Sequence, residues 1–319
     1  MLPTHDVLTD LALSRGTLDR AGLERRDDGL VARLLADRQT RVVRLRGELL
    51  EVVRDESPGV GRLSLAFGPP QPADVERLVV DLGRDDEGRA HLAVVMSDPI
   101  DGADWADGSD GSWVGLRAVG SELSDRDAGI FTTTLALANW HARNTHCPRC
   151  GALTEPVNAG WVRRCTAEGS EHYPRTDPAV IMAVVDPDDR LLLGRSPLWP
   201  EGRFSVLAGF VEPGESFEAA VAREVMEEVG VVVDGARYLG NQPWPFPASV
   251  MIGFIATARD PTLRLDPVEM AEARWVTRDE YVAALRADEI RTPSGISIAK
   301  RLIEHWLGAS VESVGGRPF

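Results

Sequence analysis

The chain has 319 residues, longer than the roughly 100–200 of a usual single domain, so two domains joined through a small insert are expected. Hydrophobic residues at 43% and charged residues at 27% are ordinary globular composition, which excludes a disordered or fibrous chain. A net charge of −15 argues against general nucleic-acid binding, which relies on Lys and Arg; it leaves room for an anionic small substrate if bound metal inverts the local field.

The start of the chain carries His5, Asp6 and Asp10 where a signal peptide would place a basic end and an apolar run, and no stretch reaches the roughly 18 apolar residues of a membrane helix. A cytoplasmic protein without membrane partners is expected. Residues 1–141 read as an N-terminal α+β domain. Strands are predicted at Arg41–Leu45 and Ala90–Met96, with turn-rich stretches such as Asp101-Gly102-Ala103-Asp104 between strands. This domain shows no chemistry, and its expected roles are packing, dimer contacts or a substrate-side wall. Ile130, Leu135, Leu137 and Trp140 predict a helix over 124–141, capped by Ser124 with Asp127 three residues on.

Residues 142–175 form the insert. Cys147-Pro148-Arg149-Cys150-Gly151 has the spacing of a zinc knuckle, and Cys165 lies where a second knuckle would begin. Three cysteines suit a metal site better than a disulfide framework. His141 and His146 read as helix-end residues rather than ligands.

Residues 176–319 form the third segment. Ala179–Val185 is an apolar run of strand type, and Leu191–Leu193 follows the turn Asp186-Pro187-Asp188-Asp189, predicting a hairpin at a sheet centre. A helix is predicted over Phe217–Val229, begun by Ser216 and ended by Gly230, then strands around 251–258 and a helix over Ile298–Leu307. No internal repeat is evident.

Glu224, Glu227 and Glu228 stand at i, i+3 and i+4, so their carboxylates share one helical face, where like charges repel unless something neutralises them. Alone, such a run usually reads as a solvated acidic face. Its surroundings reverse that: Gly209, Glu215, Arg223, Glu224, Glu227, Glu228 and Gly230, with aliphatic Val225 and Val231, match the Nudix box. Seven fixed residues at roughly 7% usage each coincide by chance on the order of once in a million such chains. The segment therefore resembles the Nudix hydrolases. That resemblance implies a C-terminal α/β/α sandwich with a mixed sheet, and Mg²⁺ or Mn²⁺ held by Glu224 and Glu228 first and Glu227 next. It adds a backbone contact from Ala208 and a later glutamate, Glu269. Arg223 is expected to orient a glutamate through a fork-type ion pair, and Glu212 and Glu215 to act as auxiliary groups. Glu228, Glu227, Glu224 and Arg223 are the candidate catalytic residues.

Downstream, Gln242-Pro243-Trp244-Pro245-Phe246-Pro247-Ala248-Ser249 resembles the loop signature of the NADH pyrophosphatase branch, with Asn241 in place of its first Ser. Prolines stiffen the loop, Trp244 and Phe246 offer flat faces to a nicotinamide or adenine ring, and Gln242 and Ser249 offer hydrogen bonds. Tyr173 and Ala299 are carried over as further substrate contacts. The branch has a four-cysteine zinc ribbon ahead of a Tyr-Pro pair, here Tyr173-Pro174. This chain has no fourth cysteine: Glu168 stands at that place, and His172 is favoured over it because imidazole is the commoner zinc ligand.

The function these readings imply is metal-dependent cleavage of NADH or NAD⁺ to the mononucleotide and AMP by a homodimer, and removal of NAD caps from RNA. Arg143, Arg149, Arg163, Arg164 and Arg175 form a basic cluster near the ribbon that RNA could approach. Two other readings stand beside it: a Nudix hydrolase of ADP-ribose or another nucleoside diphosphate derivative, and a zinc-ribbon RNA-binding or regulatory module on an inactive Nudix fold.

Overall fold

The computed structural model describes residues 7–54, 63–97 and 112–317; the turn expected at Asp101–Asp104 lies outside them. The protein is α+β and divides into two compact units. One comprises the chain through Ser14 with Asp177–Pro243 and Ser249 onward; the other is Arg15–Thr176 with Trp244–Ala248.

In the second unit a helix, α1 (Leu30–Ala36), precedes the strands β1 (Arg41–Arg46), β2 (Leu49–Arg54), β3 (Leu63–Leu65), β4 (Leu78–Arg84), β5 (Ala90–Met96) and β6 (Ser112–Gly115). They form a six-stranded mixed sheet of order β3-β2-β1-β5-β4, with β6 on β2 and a parallel pair at β1/β5. A short α2 (Leu116–Val119) leads to α3 (Asp125–Arg143). Ser124 caps α3 as expected, its Oγ accepting from the Asp127 N–H at 3.2 Å. The Asp127 carboxylate does not return to the cap. Buried, it accepts the Leu65 N–H at 3.0 Å, because a β3 edge donor with no water needs a partner. After α3 a three-stranded antiparallel ribbon follows: β7 (Thr154–Val157), β8 (Val162–Cys165) and β9 (Glu171–His172).

The first unit is built on β10 (Asp177–Val185), β11 (Leu191–Arg195), β12 (Leu207–Phe210), α4 (Phe217–Val229), β13 (Val233–Trp244), β14 (Ser249–Ala258), β15 (Glu272–Val276), α5 (Arg278–Arg286) and α6 (Ile298–Leu307). Its sheet runs β13-β14-β10-β11-β15, with β12 on β10 and a parallel pair at β10/β14. The apolar run in β10 is continuous because both faces are covered. Val180, Met182 and Val184 meet Ala220, Val221, Val225 and Val229 of α4, whereas Ile181 and Ala183 meet Tyr281, Leu302 and Trp306 of α5 and α6. This is the three-layer α/β/α arrangement. Among the described residues no helix is long and apolar enough to cross a membrane.

The two units cut across the three segments read from sequence. The leading segment joins the first unit: Leu11 lies in its core, the Leu8 N–H donates to the Leu239 carbonyl at 2.6 Å, and the Leu13 N–H to Gln242 Oε1 at 3.4 Å. The loop Trp244–Ala248 groups with the second unit, where Asn139 of α3 donates through Nδ2 to the Pro245 carbonyl at 3.0 Å. Sequence windows do not register such contacts across more than a hundred residues.

Candidate active site and metal centre

Three local features shape the acidic site. Ser216 Oγ accepts from the Ala219 N–H at 3.1 Å and starts α4, and Gly230 ends it in the left-handed region at φ 69°. The helix lies so close to β12 that a Cβ on Gly209 would fall 1.9–2.2 Å from the Glu224 carboxyl atoms, so glycine there lets that carboxylate keep its place and any larger residue would push it aside. Past α4, the Arg264 N–H donates to the Val229 carbonyl at 2.8 Å and the Asp266 N–H to the Glu228 carbonyl at 3.1 Å. These bonds hold the 264–270 turn, and with it Glu269, at the end of the helix.

Arg223 organises the glutamates around it. Its Nε and Nη2 fork onto the two oxygens of Glu215 at 2.8 and 2.9 Å, its Nη1 donates to Glu224 at 2.8 Å and Glu227 at 2.9 Å, and Nη2 also reaches the Phe210 carbonyl at 2.9 Å. The guanidinium holds the Glu215 carboxyl below its ordinary range, and Glu215 in turn accepts the Glu212 N–H at 3.0 Å. Glu224 is moved the other way: burial raises it against the pull of Arg223, with Glu227 and Glu269 adding repulsion. Glu228 is the extreme case. Burial first, then Glu224, Glu269 and Glu227, push it up to about 8, and its Oε2 is buried without a hydrogen-bond partner.

Glu224, Glu227 and Glu269 thus add their repulsion to the burial of Glu228, whose own carboxylate has no arginine partner. An orphaned buried acceptor amid like charges, beside a glycine that leaves room, fits a hard divalent cation with oxygen ligands. The exposed Ala208 lies on β12 beside Gly209. Phe210, next in line, is 60% exposed at this site. Sequence reading passed over it, because periodicity does not reveal that an aromatic ring on a strand end faces water.

The expected substrate residues are placed unevenly. Trp244 and Phe246 pack edge to face at 5.0 Å, and the Arg117 guanidinium lies over both rings, at 5.0 and 3.7 Å. Nothing in the sequence pattern links Arg117 to this loop. Tyr173 is 64% exposed, its hydroxyl donating to Glu171 at 2.9 Å. Ser249 is buried at the start of β14. Gln242 requires correction: it is wholly buried, its Oε1 accepts from the Leu13 N–H and its Nε2 donates to the Ile296 carbonyl at 2.7 Å, so its amide joins three chain segments and is not free for a ligand. The Ala299 side chain is likewise in the core, and its N–H is taken by Ser297 Oγ at 3.2 Å.

In the ribbon, Cys147, Cys150, Cys165 and Glu168 bring their donor atoms within 4.8 Å of one another. Cys147 Sγ lies 3.3 Å from Glu168 Oε1, and Cys150 Sγ 3.5 Å from Cys165 Sγ. Burial raises the Cys147 thiol, but the Arg149 and Cys150 N–H groups outweigh it and draw it down to about 7, which suits metal binding. Glu168 belongs to this group, while His172, the ligand favoured from sequence, sits on β9 opposite Arg163, its Nε2 3.2 Å from Ser170 Oγ. The basic cluster is also smaller than the sequence suggests. Arg163 is buried, donating to Thr154 and to His141 Nδ1 at 2.9 Å, and Arg149 and Arg164 have acidic partners in Glu168 and Glu171. That bond leaves the His141 proton on Nε2, donated to the Gly160 carbonyl at 2.8 Å, and burial depresses the imidazole to about 4.

A glutamate-bearing helix laid against a glycine-bearing strand, in a three-layer domain with a mixed sheet, is an arrangement able to hold a divalent cation. Family comparison agrees in every segment: residues 175–294 match the NUDIX domain, 142–173 the NADH pyrophosphatase zinc ribbon domain, and 25–140 the NADH pyrophosphatase-like rudimentary NUDIX domain. The NAD-capped RNA hydrolase NudC of Mycobacterium bovis is 43% identical over 258 residues, covering 76% of this chain and 78% of that one. Its counterpart in Mycobacterium tuberculosis is 42% identical over the same span. Human NAD-capped RNA hydrolase NUDT12 is 40% identical over 198 residues, covering 58% of this chain and 43% of that one. The chain belongs to the Nudix hydrolases of the NADH pyrophosphatase type. The match of residues 25–140 to a rudimentary NUDIX domain goes with a likeness in sheet architecture between the two units. Both units carry six-stranded mixed sheets with one parallel pair, a likeness the sequence hides because residues 25–140 lack the glutamate box.

Proposed function

We propose that this chain hydrolyses the pyrophosphate bond of NADH and NAD⁺ to the (reduced) nicotinamide mononucleotide and AMP, and removes NAD caps from RNA by the same chemistry. The observation that carries the reading is the carboxylate cluster in which Glu228 is buried, unpartnered and surrounded by Glu224, Glu227 and Glu269.

The carboxylates of Glu224, Glu227, Glu228 and Glu269, with the Ala208 carbonyl, would hold Mg²⁺ or Mn²⁺. Such a cation neutralises phosphate oxygens and acidifies a bound water. Glu228 Oε2, which has no other hydrogen-bond partner, would accept a proton from the attacking water, whose oxygen bonds to phosphorus as the bridging P–O bond breaks. Arg223 keeps Glu215, Glu224 and Glu227 in place and is a positioning residue. Phe210 offers an exposed ring face beside the glutamates, and Trp244, Phe246 and Tyr173 are the further candidates for stacking on a nicotinamide or adenine ring. Three free cysteines suit a reducing, cytoplasmic compartment; the reading as a homodimer rests on resemblance to the branch.

The test is product analysis of purified protein offered NADH, NAD⁺, ADP-ribose and NAD-capped RNA side by side with Mg²⁺ or Mn²⁺. Mononucleotide and AMP from the dinucleotides, or a 5′-monophosphate RNA from the capped one, are expected. Faster cleavage of ADP-ribose than of every NAD-containing substrate would refute the proposal.

A further inference from the structure

We propose that the ribbon's metal site in this chain is a three-thiolate, one-carboxylate site closed by Glu168, and that it gives up zinc faster than an all-sulfur ribbon would. The argument begins with two turns of the same build. In the first, the Gly151 N–H donates to the Cys147 carbonyl at 2.9 Å and the Cys147 N–H to the Ala152 carbonyl at 2.7 Å; Gly151 is left-handed at φ 76°. In the second, the Gly169 N–H donates to the Cys165 carbonyl at 3.0 Å and the Cys165 N–H to the Ser170 carbonyl at 2.8 Å; Gly169 is left-handed at φ 72°. Residue for residue the turns repeat, so Glu168 occupies in the second the place that Cys150 occupies in the first. His172 lies beyond the repeat, on β9.

Distances and charge point the same way. A tetrahedron with arms of about 2.3 Å has edges of about 3.8 Å, and with one oxygen arm the mixed edges are about 3.5 Å. The separations of 3.3 Å between Cys147 Sγ and Glu168 Oε1 and 3.5 Å between Cys150 and Cys165 are close to those edges. A carboxylate also carries the charge of the sulfur it replaces, whereas imidazole would leave the site one negative charge short. Glu168 is held in place by Ser170, whose Oγ donates to Oε1 at 2.8 Å, and by Arg149, whose Nε is 3.6 Å away. The difference lies in donor strength. Zinc is borderline-soft and prefers thiolate, while Glu168 is a harder ligand on an exposed side chain that water can displace. Release would begin at that arm.

The experiment uses the full chain loaded with zinc, challenged by a chromophoric chelator, and in parallel loaded with Co²⁺ for absorption spectroscopy. One zinc per chain and a cobalt spectrum of three thiolates are expected. Glu168→Gln should release zinc at least about 10-fold faster, and Glu168→Cys about 10-fold or more slower with a four-thiolate spectrum. His172→Ala should release at the parent rate. Faster release from His172→Ala, no slowing in Glu168→Cys, or a parent protein that binds no zinc would each overturn the proposal. Should Glu168→Gln fail to fold, the Glu168→Cys rate and both spectra still decide.

Discussion

If burial and three neighbouring carboxylates hold the Glu228 pKa near 8 against an ordinary 4.5, folding without a divalent cation must weaken as pH rises. The sign follows from proton counting. Between these values the folded state keeps a proton that the unfolded state has lost, so stability falls with increasing pH across this window and levels off above it. Each pKa unit is worth about 1.4 kcal/mol, so the cost grows from under about 1 kcal/mol at pH 5 to about 4 kcal/mol at pH 8, an upper figure because the group is coupled to its neighbours. Glu228→Gln removes this dependence, though its amide brings donors that need partners, at about 1–3 kcal/mol. In chelator the variant should therefore be no more stable than the parent at pH 5 and more stable at pH 8, gaining about 3 kcal/mol relative to the parent between the two. For a domain of this size that is a relative shift of about 6–12 °C in Tm. Millimolar Mg²⁺ should raise the parent Tm and leave the variant nearly unmoved, since a ligand bound only by the folded state stabilises it. Thermal melts of both proteins at pH 5, 6, 7 and 8, with chelator and with Mg²⁺, make the measurement. Parallel pH profiles in chelator would refute the reasoning.

Four further outcomes are expected. Glu228→Gln should lower kcat for NADH by at least about 100-fold, and retention of a tenth of parental turnover would exclude its role in proton or metal handling. Gly209→Ala would put a Cβ onto the Glu224 carboxylate, so apparent Mg²⁺ affinity should fall about 10- to 100-fold; an unchanged metal titration would show that the helix gives way freely. Gln242→Ala leaves the Leu13 N–H and the Ile296 carbonyl without partners and should cost about 2–5 kcal/mol of stability while KM for NADH holds; a raised KM at unchanged Tm would restore it as a substrate contact. Trp244→Ala should lower kcat/KM for NADH about 5- to 150-fold if the indole stacks on a base, with a smaller loss for ADP-ribose. An unchanged ratio between the two substrates together with a lowered Tm would instead mean that Trp244 only supports the loop beneath Arg117.

Local chemistry let the sequence alone fix α4 with its Ser216 and Gly230 caps, the glutamate face at i, i+3 and i+4, the first zinc knuckle and the buried strand at Ala179–Val185. Each depends on residues a few positions apart, where helical period, capping and turn chemistry leave one arrangement. What tertiary structure decided are the partners and the side each residue faces. Gln242 reads as a ligand in a Pro-aromatic loop, yet the arrival of Leu13 and Ile296 from distant parts of the chain buries it. Arg117 comes to the same loop from α2, and Arg163 turns inward to His141 although it reads as surface charge. Glu168 and His172 differ as zinc ligands by which falls on the turn and which on the strand, and that depends on how β8 and β9 pair. The Glu228 carboxyl becomes unusual only once α4 is pressed onto β12 and the 264–270 turn delivers Glu269, because charge repulsion and loss of water act through space rather than along the chain.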